Sequence, residues 1–406
     1  MLSFAPIATR FQARSSKFLP MIWQVVKTMG FFLCASLAHA TALTPIEEGF
    51  PTSVVSPSQV AKSSSPHPSI PFEKSEAMSW KTEYVGRVQM NFPTNRTRNW
   101  SNEFDMAVVK RLPEMTPEVF WKGVDIVRQR YENQKHSEVP TRLAHFEKLG
   151  SHAAFVMWYD NDATVWGPNM DRYLHLATVH AYSFYTRTLP IRDVKPSPSL
   201  FKPFVAQYTP IFSRIHPLKE GQAPNRDGLA IDGAVVSGDT GRNAKAGLRV
   251  EIATGTLLSI AYIENNYQVA LRSSFEELAV DETLAKKMSV YDEPRAVLEF
   301  KVLRRQERTL AGIAGQEFIA KTTLKNGHSY YRFNWQVKGA NDGGLLEPTI
   351  AINLNTPKYP TAHAGNPPFA ELPPEPELIK LWEFALASFK WRNGALPDGQ
   401  QIKAVN

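Results

Sequence analysis

Seven prolines fall within one short stretch of this 406-residue chain, at Pro190, Pro196, Pro198, Pro203, Pro210, Pro217 and Pro224. Proline lacks the backbone N–H and fixes φ, so the stretch is predicted to carry neither a helix nor a central strand for long. It therefore reads as a boundary. A second proline- and serine-rich stretch, Thr41 to Glu76, contains Pro51, Pro57, Pro66, Pro68, Pro71 and Ser63-Ser64-Ser65, and reads as a flexible or extended leader. The expected layout is a leader over 41–76, a domain over 77–195, a linker over 196–223, a domain over 224–394 and a tail over 395–406. About 366 residues follow Ala40, more than one hydrophobic core comfortably serves, which agrees with two domains.

The first 40 residues have the pattern of a secretory signal. Arg10, Arg14, Lys17 and Lys27 supply positive charge, and no acidic residue precedes Glu47. Gly30 to Leu37 is a short apolar core, and Ala38-His39-Ala40 fits a small-x-small cleavage site. Met21 is an alternative start that leaves a compact signal. The apolar positions are fewer than the roughly 20 that a spanning helix needs, so release is favoured over an N-terminal anchor. The chain's one cysteine, Cys34, lies inside the apolar core behind Phe32-Leu33, which does not suit a lipoprotein signal. Cleavage near Ala40 would leave a mature exported chain without cysteine, hence without disulfides, thiolate metal sites or a cysteine nucleophile.

Charge points away from nucleic acid. The formal charge of +7 comes largely from the signal; the rest of the chain has 42 basic residues against 39 acidic, and from Ala223 onward the count is 21 against 21. No phosphate-binding basic patch is implied. The motifs of catalysis are missing as well. Val236-Ser-Gly-Asp-Thr-Gly241 has the composition of a nucleophile elbow but the wrong spacing. Gly238-Asp-Thr-Gly-Arg242 lacks the ending of a phosphate-binding loop and reads as a hairpin loop. The ten histidines form no His-Glu-x-x-His pair. His175 and His180, five apart in what looks like one strand, should point to opposite faces. Asp160-Asn161-Asp162 lacks the glycine and distal glutamate of a calcium loop and reads as a solvated turn. Glu276-Glu277 and Asp281-Glu282 read as the wet side of a helix. No catalytic residue, metal site or cofactor is expected.

Local patterns predict an α+β fold, with two domains that are each a mostly antiparallel sheet with packed helices. In the first, Glu83 to Pro93 alternates like a strand and ends at a proline. Thr116-Pro117-Glu118 opens a helix whose Phe120, Val124, Val127 and Tyr131 share one face. Ala153–Tyr159 and Tyr173–Thr188 are rich in β-branched and aromatic residues and read as strands, joined by turns at Asp160-Asn161-Asp162 and Gly167-Pro168. In the second, strands are expected over Leu248–Ile252, Leu298–Val302, Glu317–Leu324 and Ser329–Trp335, with Asn326-Gly327 turning between the last two. Helices are expected over Ser274–Lys287 and Pro376–Lys390. The last carries the stripe Leu378, Leu381, Trp382, Ala385 and Phe389 and stops at Asn393-Gly394 and Pro397.

Aromatic residues are plentiful (nine Trp, thirteen Tyr, twenty-three Phe). Trp, Tyr and Arg dominate the buried centres of protein interfaces. Trp158, Tyr159, Trp166, Arg172 and Tyr173 surround an expected loop and are the candidates for contact with a partner.

Several short marks recur in a fixed order in the last part of the chain. They are Gly228-Leu-Ala-Ile-Asp-Gly-Ala-Val-Val236, Ala246-Gly-Leu-Arg-Val-Glu-Ile252, Arg308-Thr-Leu-Ala-Gly-Ile-Ala-Gly-Gln-Glu-Phe318, Phe333-Asn-Trp-Gln-Val-Lys-Gly339, Pro348-Thr-Ile-Ala-Ile-Asn-Leu354 and the closing helix. The set resembles the C-terminal domain of immunity proteins that neutralise type VI secretion lipase effectors. Tyr84-Val-Gly-Arg87 and its alternation into Pro93 resemble the opening strand of that family's N-terminal domain. The chain departs from the family pattern in having Gln316-Glu317 where an acidic pair is usual, and in lacking the family's cysteines. The resemblance implies a periplasmic binder with no chemistry of its own, which forms a one-to-one complex with a phospholipase effector and occludes it. No nucleic acid and no stable membrane insertion after signal cleavage would be involved. A periplasmic hydrolase with an unfamiliar site, or an envelope solute-binding or scaffold protein, is the alternative left by the residues alone.

Overall fold

The computed structural model describes residues 77–104, 107–159, 169–176, 180–187, 198–219, 221–238, 244–264, 272–291, 293–339, 347–358 and 372–395. The signal with Cys34, the leader, Asp160-Asn161-Asp162, Trp166, Gly167-Pro168, the stretch 239–243 and the tail beyond Ala395 lie outside the described residues.

The fold is α+β and its sheets are antiparallel. Twelve strands make one sheet in the order β14-β15-β16-β17-β13-β12-β3-β4-β8-β7-β6-β5. The half nearer the N-terminus comprises β3 (Arg98–Phe104), β4 (Ala107–Leu112), β5 (Leu143–Leu149), β6 (Ala153–Trp158), β7 (Asn169–His175) and β8 (Ala181–Arg187). The other half comprises β12 (Ala244–Ala253), β13 (Thr256–Glu264), β14 (Val297–Leu310), β15 (Ile313–Leu324), β16 (Ser329–Val337) and β17 (Thr349–Asn355). The halves join where β3 pairs with β12, from Lys245 opposite Glu103 to Val250 opposite Arg98. Two three-stranded sheets flank this one. One has the order β1-β2-β18, from β1 (Trp80–Val85), β2 (Val88–Pro93) and β18 (Lys390–Trp391); the other is β10-β11-β9, from β9 (Ile215–Pro217), β10 (Leu229–Ile231) and β11 (Ala234–Val236).

Helix α1 (Pro117–Asn133) forms as its sequence directs. The Thr116 side chain accepts a hydrogen bond from the Val119 N–H, proline occupies the first turn, and Phe120, Val124, Val127 and Tyr131 are buried. It covers one face of β5–β7, with Tyr131 stacked on Trp158 at 4.7 Å and Phe120 against His175. Because side chains alternate along a strand, Phe155 and Phe184 face the other side, where they meet Phe212 of α2 (Pro198–Phe212). All six residues of β6 are consequently buried.

Helix α2 corrects the expectation for the proline-rich stretch, since it runs through Pro203 and Pro210. An interior proline costs about 3 kcal/mol. Phe201, Val205, Ile211 and Phe212 are all buried in the main core, at about 1.5–3 kcal/mol for each side chain, and this offsets the penalty. Burial of an apolar face outweighs local propensity here.

In the other half, α3 (Ser274–Ser289) starts with a capping box between Ser273 and Glu276 and packs Leu278 on Phe318 and Ala320. Helix α4 (Glu375–Ala387) covers the opposite face, with Trp382 against Phe333, while Phe389 just beyond it lies against Trp335. Leu378, Leu381, Trp382, Ala385 and Phe389 are buried as the expected core stripe. The helix ends at Ala387, short of the expected Lys390, because Lys390 and Trp391 pair as β18 with Gln89 and Val88. The turn at Asn326-Gly327 joins β15 to β16, with the Gly327 N–H bonded to Leu324 O.

The single strand expected over Glu83–Pro93 is a hairpin. Val85 pairs with Val88, and the chain reverses at Gly86-Arg87, where Gly86 has a φ of 63°. This hairpin belongs spatially with the C-terminal elements. Its β2 pairs with β18, the Trp80 ring lies tilted against Phe384 of α4 at 4.5 Å, and the Asn91 N–H donates to Ser388 Oγ. The N-terminal strands β1–β3 thus complete the packing of the half that contains residues 244–391.

Candidate functional site

Four of the five residues expected at a partner surface lie inside the protein. Trp158, Tyr159, Arg172 and Tyr173 are buried, and Trp166 lies outside the described residues. Trp158 stacks under α1. The Arg172 guanidinium sits 4.3 Å from the Tyr208 ring centroid of α2 and 5.5 Å from that of Phe184. Successive residues of β7 face opposite sides, so Asp171 and Tyr173 lie on the α1 face, and the Tyr173 hydroxyl donates to Asp171 Oδ2 at 3.1 Å. The side chains read as contact residues are spent on the two helix–sheet interfaces of this half.

Burial pushes the Asp171 carboxyl well above its ordinary value, against the hydrogen bond from Tyr173 and the charge of Arg172. The folded chain thus keeps a proton that the unfolded chain has released. Its contribution to stability is full below roughly pH 4, the unfolded value, and is lost as pH rises through the folded value. Asp171→Asn keeps an acceptor for Tyr173 and removes that loss. Urea midpoints of the two proteins are expected to be close near pH 4 and to separate in the variant's favour toward pH 8. Parallel curves would mean that Asp171 is ionised in the fold.

The expected single strand holding both His175 and His180 is in fact two. His175 ends β7 and His180 precedes β8; both are buried, with His175 Nε2 2.9 Å from Met115 O and His180 Nδ1 3.1 Å from Arg111 Nη2. Burial, and next the charge of Arg111, lower the His180 pKa. Among the described residues no group of three or more His, Cys, Asp or Glu side chains is placed to hold a metal ion. The acidic pairs of α3 are only partly on its wet side: Glu277 and Asp281 both bind the Arg332 guanidinium of β16. Burial raises the Asp281 carboxyl even so.

In the second half the Glu317 side chain is fully inaccessible on β15. It accepts from Arg304 and Arg308 Nη1 at 3.1 and 3.2 Å, from Gln306 Nε2 at 2.5 Å and from Trp382 Nε1 at 2.6 Å. Glu383, one residue further along α4, binds the same two arginines from outside. Burial pushes the Glu383 carboxyl up, but the hydrogen bonds from Arg308 and Arg304 outweigh it and lower the pKa. The cluster ties the sheet's β14 edge to α4. Gly315 lies beside it, and a Cβ there would fall 2.5 Å from the Trp335 ring.

At the surface, the three most exposed large apolar side chains among the described residues lie within nine residues of one connection. Val290, Tyr291 and Leu298 are 79%, 58% and 62% exposed where α3 passes into β14. Val280 and Leu284 on α3 are also exposed, off the line of the buried Leu278 and Ala285. Lys286 and Lys287 close the last turn beside them. The sequence signal was Val280 and Leu284 falling outside the helix's apolar stripe.

This arrangement of helices and sheets has known counterparts, and one stretch of the sequence matches a family model. Residues 222–394 match the family model of the Tle cognate immunity protein 4 C-terminal domain. That match holds the marks from Gly228 to the closing helix. The fold as a whole is similar to a chain in the crystal structure of the Tle4-Tli4 complex, at 19% identity and a TM-score of 0.62, over 77% of this chain and 97% of that one. It is also similar to the apo structure of the immunity protein TplEi of the T6SS from Pseudomonas aeruginosa, at 19% identity and a TM-score of 0.61, over the same shares. TplEi complexed with "L" peptide matches at 17% identity and a TM-score of 0.57, over 77% of this chain and 98% of that one. No curated protein matches the chain by sequence.

Proposed function

We propose that this protein is the immunity partner of a type VI secretion phospholipase effector and acts by binding, without chemistry of its own. The observation that carries this reading is the coincidence of two likenesses. The family stretch 222–394 sits inside a fold that matches 97% of a chain in the Tle4-Tli4 complex. Residues 1–40 direct the chain to the periplasm and are removed near Ala40, so the protein meets the effector where the effector reaches its lipid. Among the described residues no helix is long and apolar enough to cross a membrane. The half built on β4–β8 and the half built on β12–β17 supply two surfaces that hold the effector around its substrate entrance. Substrate is then excluded and any lid immobilised. A stable one-to-one complex of this kind buries on the order of 1,600 Å² or more.

The test is a titration of residues 41–406 into the phospholipase encoded beside this gene, with phospholipid hydrolysis followed. Hydrolysis is expected to fall linearly to an endpoint at one equivalent. Undiminished hydrolysis at several equivalents would overturn the reading.

A further inference from the structure

Three buried charged side chains meet where the C-terminal segment crosses the N-terminal hairpin. Arg87, in the β1–β2 turn, and Glu264, at the end of β13, are each 1% exposed and lie 2.5 Å apart. Arg87 Nη1 also donates to the Ala395 carbonyl, and the buried Tyr262 hydroxyl donates to Glu264 Oε1 at 2.7 Å. Arg392, equally buried, sends Nη1 to Arg226 O at 2.7 Å and Nη2 to Gly228 O at 2.6 Å, while its own N–H donates to Arg87 O at 3.0 Å. The Arg87 guanidinium is thus paired with the Glu264 carboxylate, while the Arg392 guanidinium beside it is held by backbone carbonyls. Burial, and next the charge of Arg87, lower the Arg392 pKa to about 10.

Such a cluster is a poor source of stability, because well-packed apolar side chains of similar volume often do as well or better. It supplies direction instead. Apart from the Tyr262–Glu264 bond within β13, each bond joins segments far apart in the chain: the hairpin at residue 87, the stretch 224–228, the end of β13, and the strap 390–395. We propose that Arg87, Glu264 and Arg392 form a latch that fastens the strap Lys390–Ala395 across the β1–β2 hairpin, and that the latch fixes the setting of the surfaces offered to the effector. These are positioning residues. The binding half of the inference rests on the proposed immunity function; the latch itself does not.

The test uses the full mature chain carrying Arg87→Met, Glu264→Leu and Tyr262→Phe together, which removes the buried pair and the hydroxyl that serves it, while Arg392 keeps its carbonyl acceptors. Its urea midpoint is expected to stay near that of the wild type. Amide exchange of residues 390–395 should accelerate at least tenfold, and dissociation from the phospholipase encoded beside this gene about tenfold, with association little changed. Unchanged strap exchange would overturn the latch. Faster exchange with unchanged dissociation would overturn its role in binding. Should the triple variant not fold, Arg392→Lys keeps the charge, loses the two-pronged grip on Arg226 and Gly228, and is read in the same two ways. A wild-type chain that binds no effector overturns the immunity reading instead, and strap exchange still decides the latch.

Discussion

Replacing Glu317 with alanine is expected to cost about 3 kcal/mol of folding stability, measured by urea unfolding with an unchanged m-value. The carboxylate is fully buried and answers two guanidiniums, an amide and an indole N–H at once. Removing one partner from a buried charge cluster typically costs about 3–5 kcal/mol, because the remaining charges stay where solvent does not reach them well. The lower end applies here. The Arg304 and Arg308 side chains are 28% and 21% exposed, so water screens part of the loss, and Glu383 still pairs with both. Glu317→Gln preserves the shape and an acceptor for Trp382, and should cost roughly half as much. Glu383→Ala, whose carboxylate is 39% exposed, should cost less than about 1 kcal/mol. Equal losses for Glu317→Ala and Glu383→Ala would refute the view that the inner carboxylate organises the cluster.

The contrast between these two glutamates also marks what the sequence could and could not reveal. Periodic elements were legible: the capped helix from Thr116, the turn at Asn326-Gly327 and the stripe of the last helix all depend on neighbours within about one turn of each other. So was the likeness of residues 222–394 to the immunity-protein domain, through the order of marks from Gly228 onward. Glu317 was visible only as half of an altered pair, because its four donors come from β14 and α4, and no local pattern announces where they converge. Pro203 and Pro210 argued against a helix, and only tertiary burial of Phe201, Val205, Ile211 and Phe212 reverses that. The contact candidates around Trp158 and Tyr173 illustrate the same limit. Aromatic and arginine residues serve cores and interfaces alike, and a strand covered on both faces by helices looks, residue by residue, like a sticky surface. Val290, Tyr291 and Leu298 went unnoticed because exposure is a property of the packed molecule.

Gly86→Ala is expected to be as damaging as the loss of Glu317, although it adds a single methyl group. Gly86 turns the hairpin with a φ of 63°, and its N–H and C=O are both bonded to Ala230. A Cβ there would lie 2.3 Å from the Tyr262 ring. The left-handed backbone costs a non-glycine residue about 1–2 kcal/mol, and forcing a methyl into a packed interior about 1–3, so the total is on the order of 3 kcal/mol. The ring cannot retreat freely, because its hydroxyl is held by Glu264, which in turn holds Arg87. The two contributions can be separated by a second change. Adding Tyr262→Leu, which shortens the opposing side chain, should recover the steric part of the loss and leave the backbone part, giving a favourable coupling of at least 1 kcal/mol in the double-mutant cycle. Strict additivity would mean that the turn, and not the ring, is what excludes a side chain at this position. A recovered double variant with a loosened strap would place the origin of the hairpin's rigidity in the contact between Gly86 and Tyr262, one step before the charges that lock it.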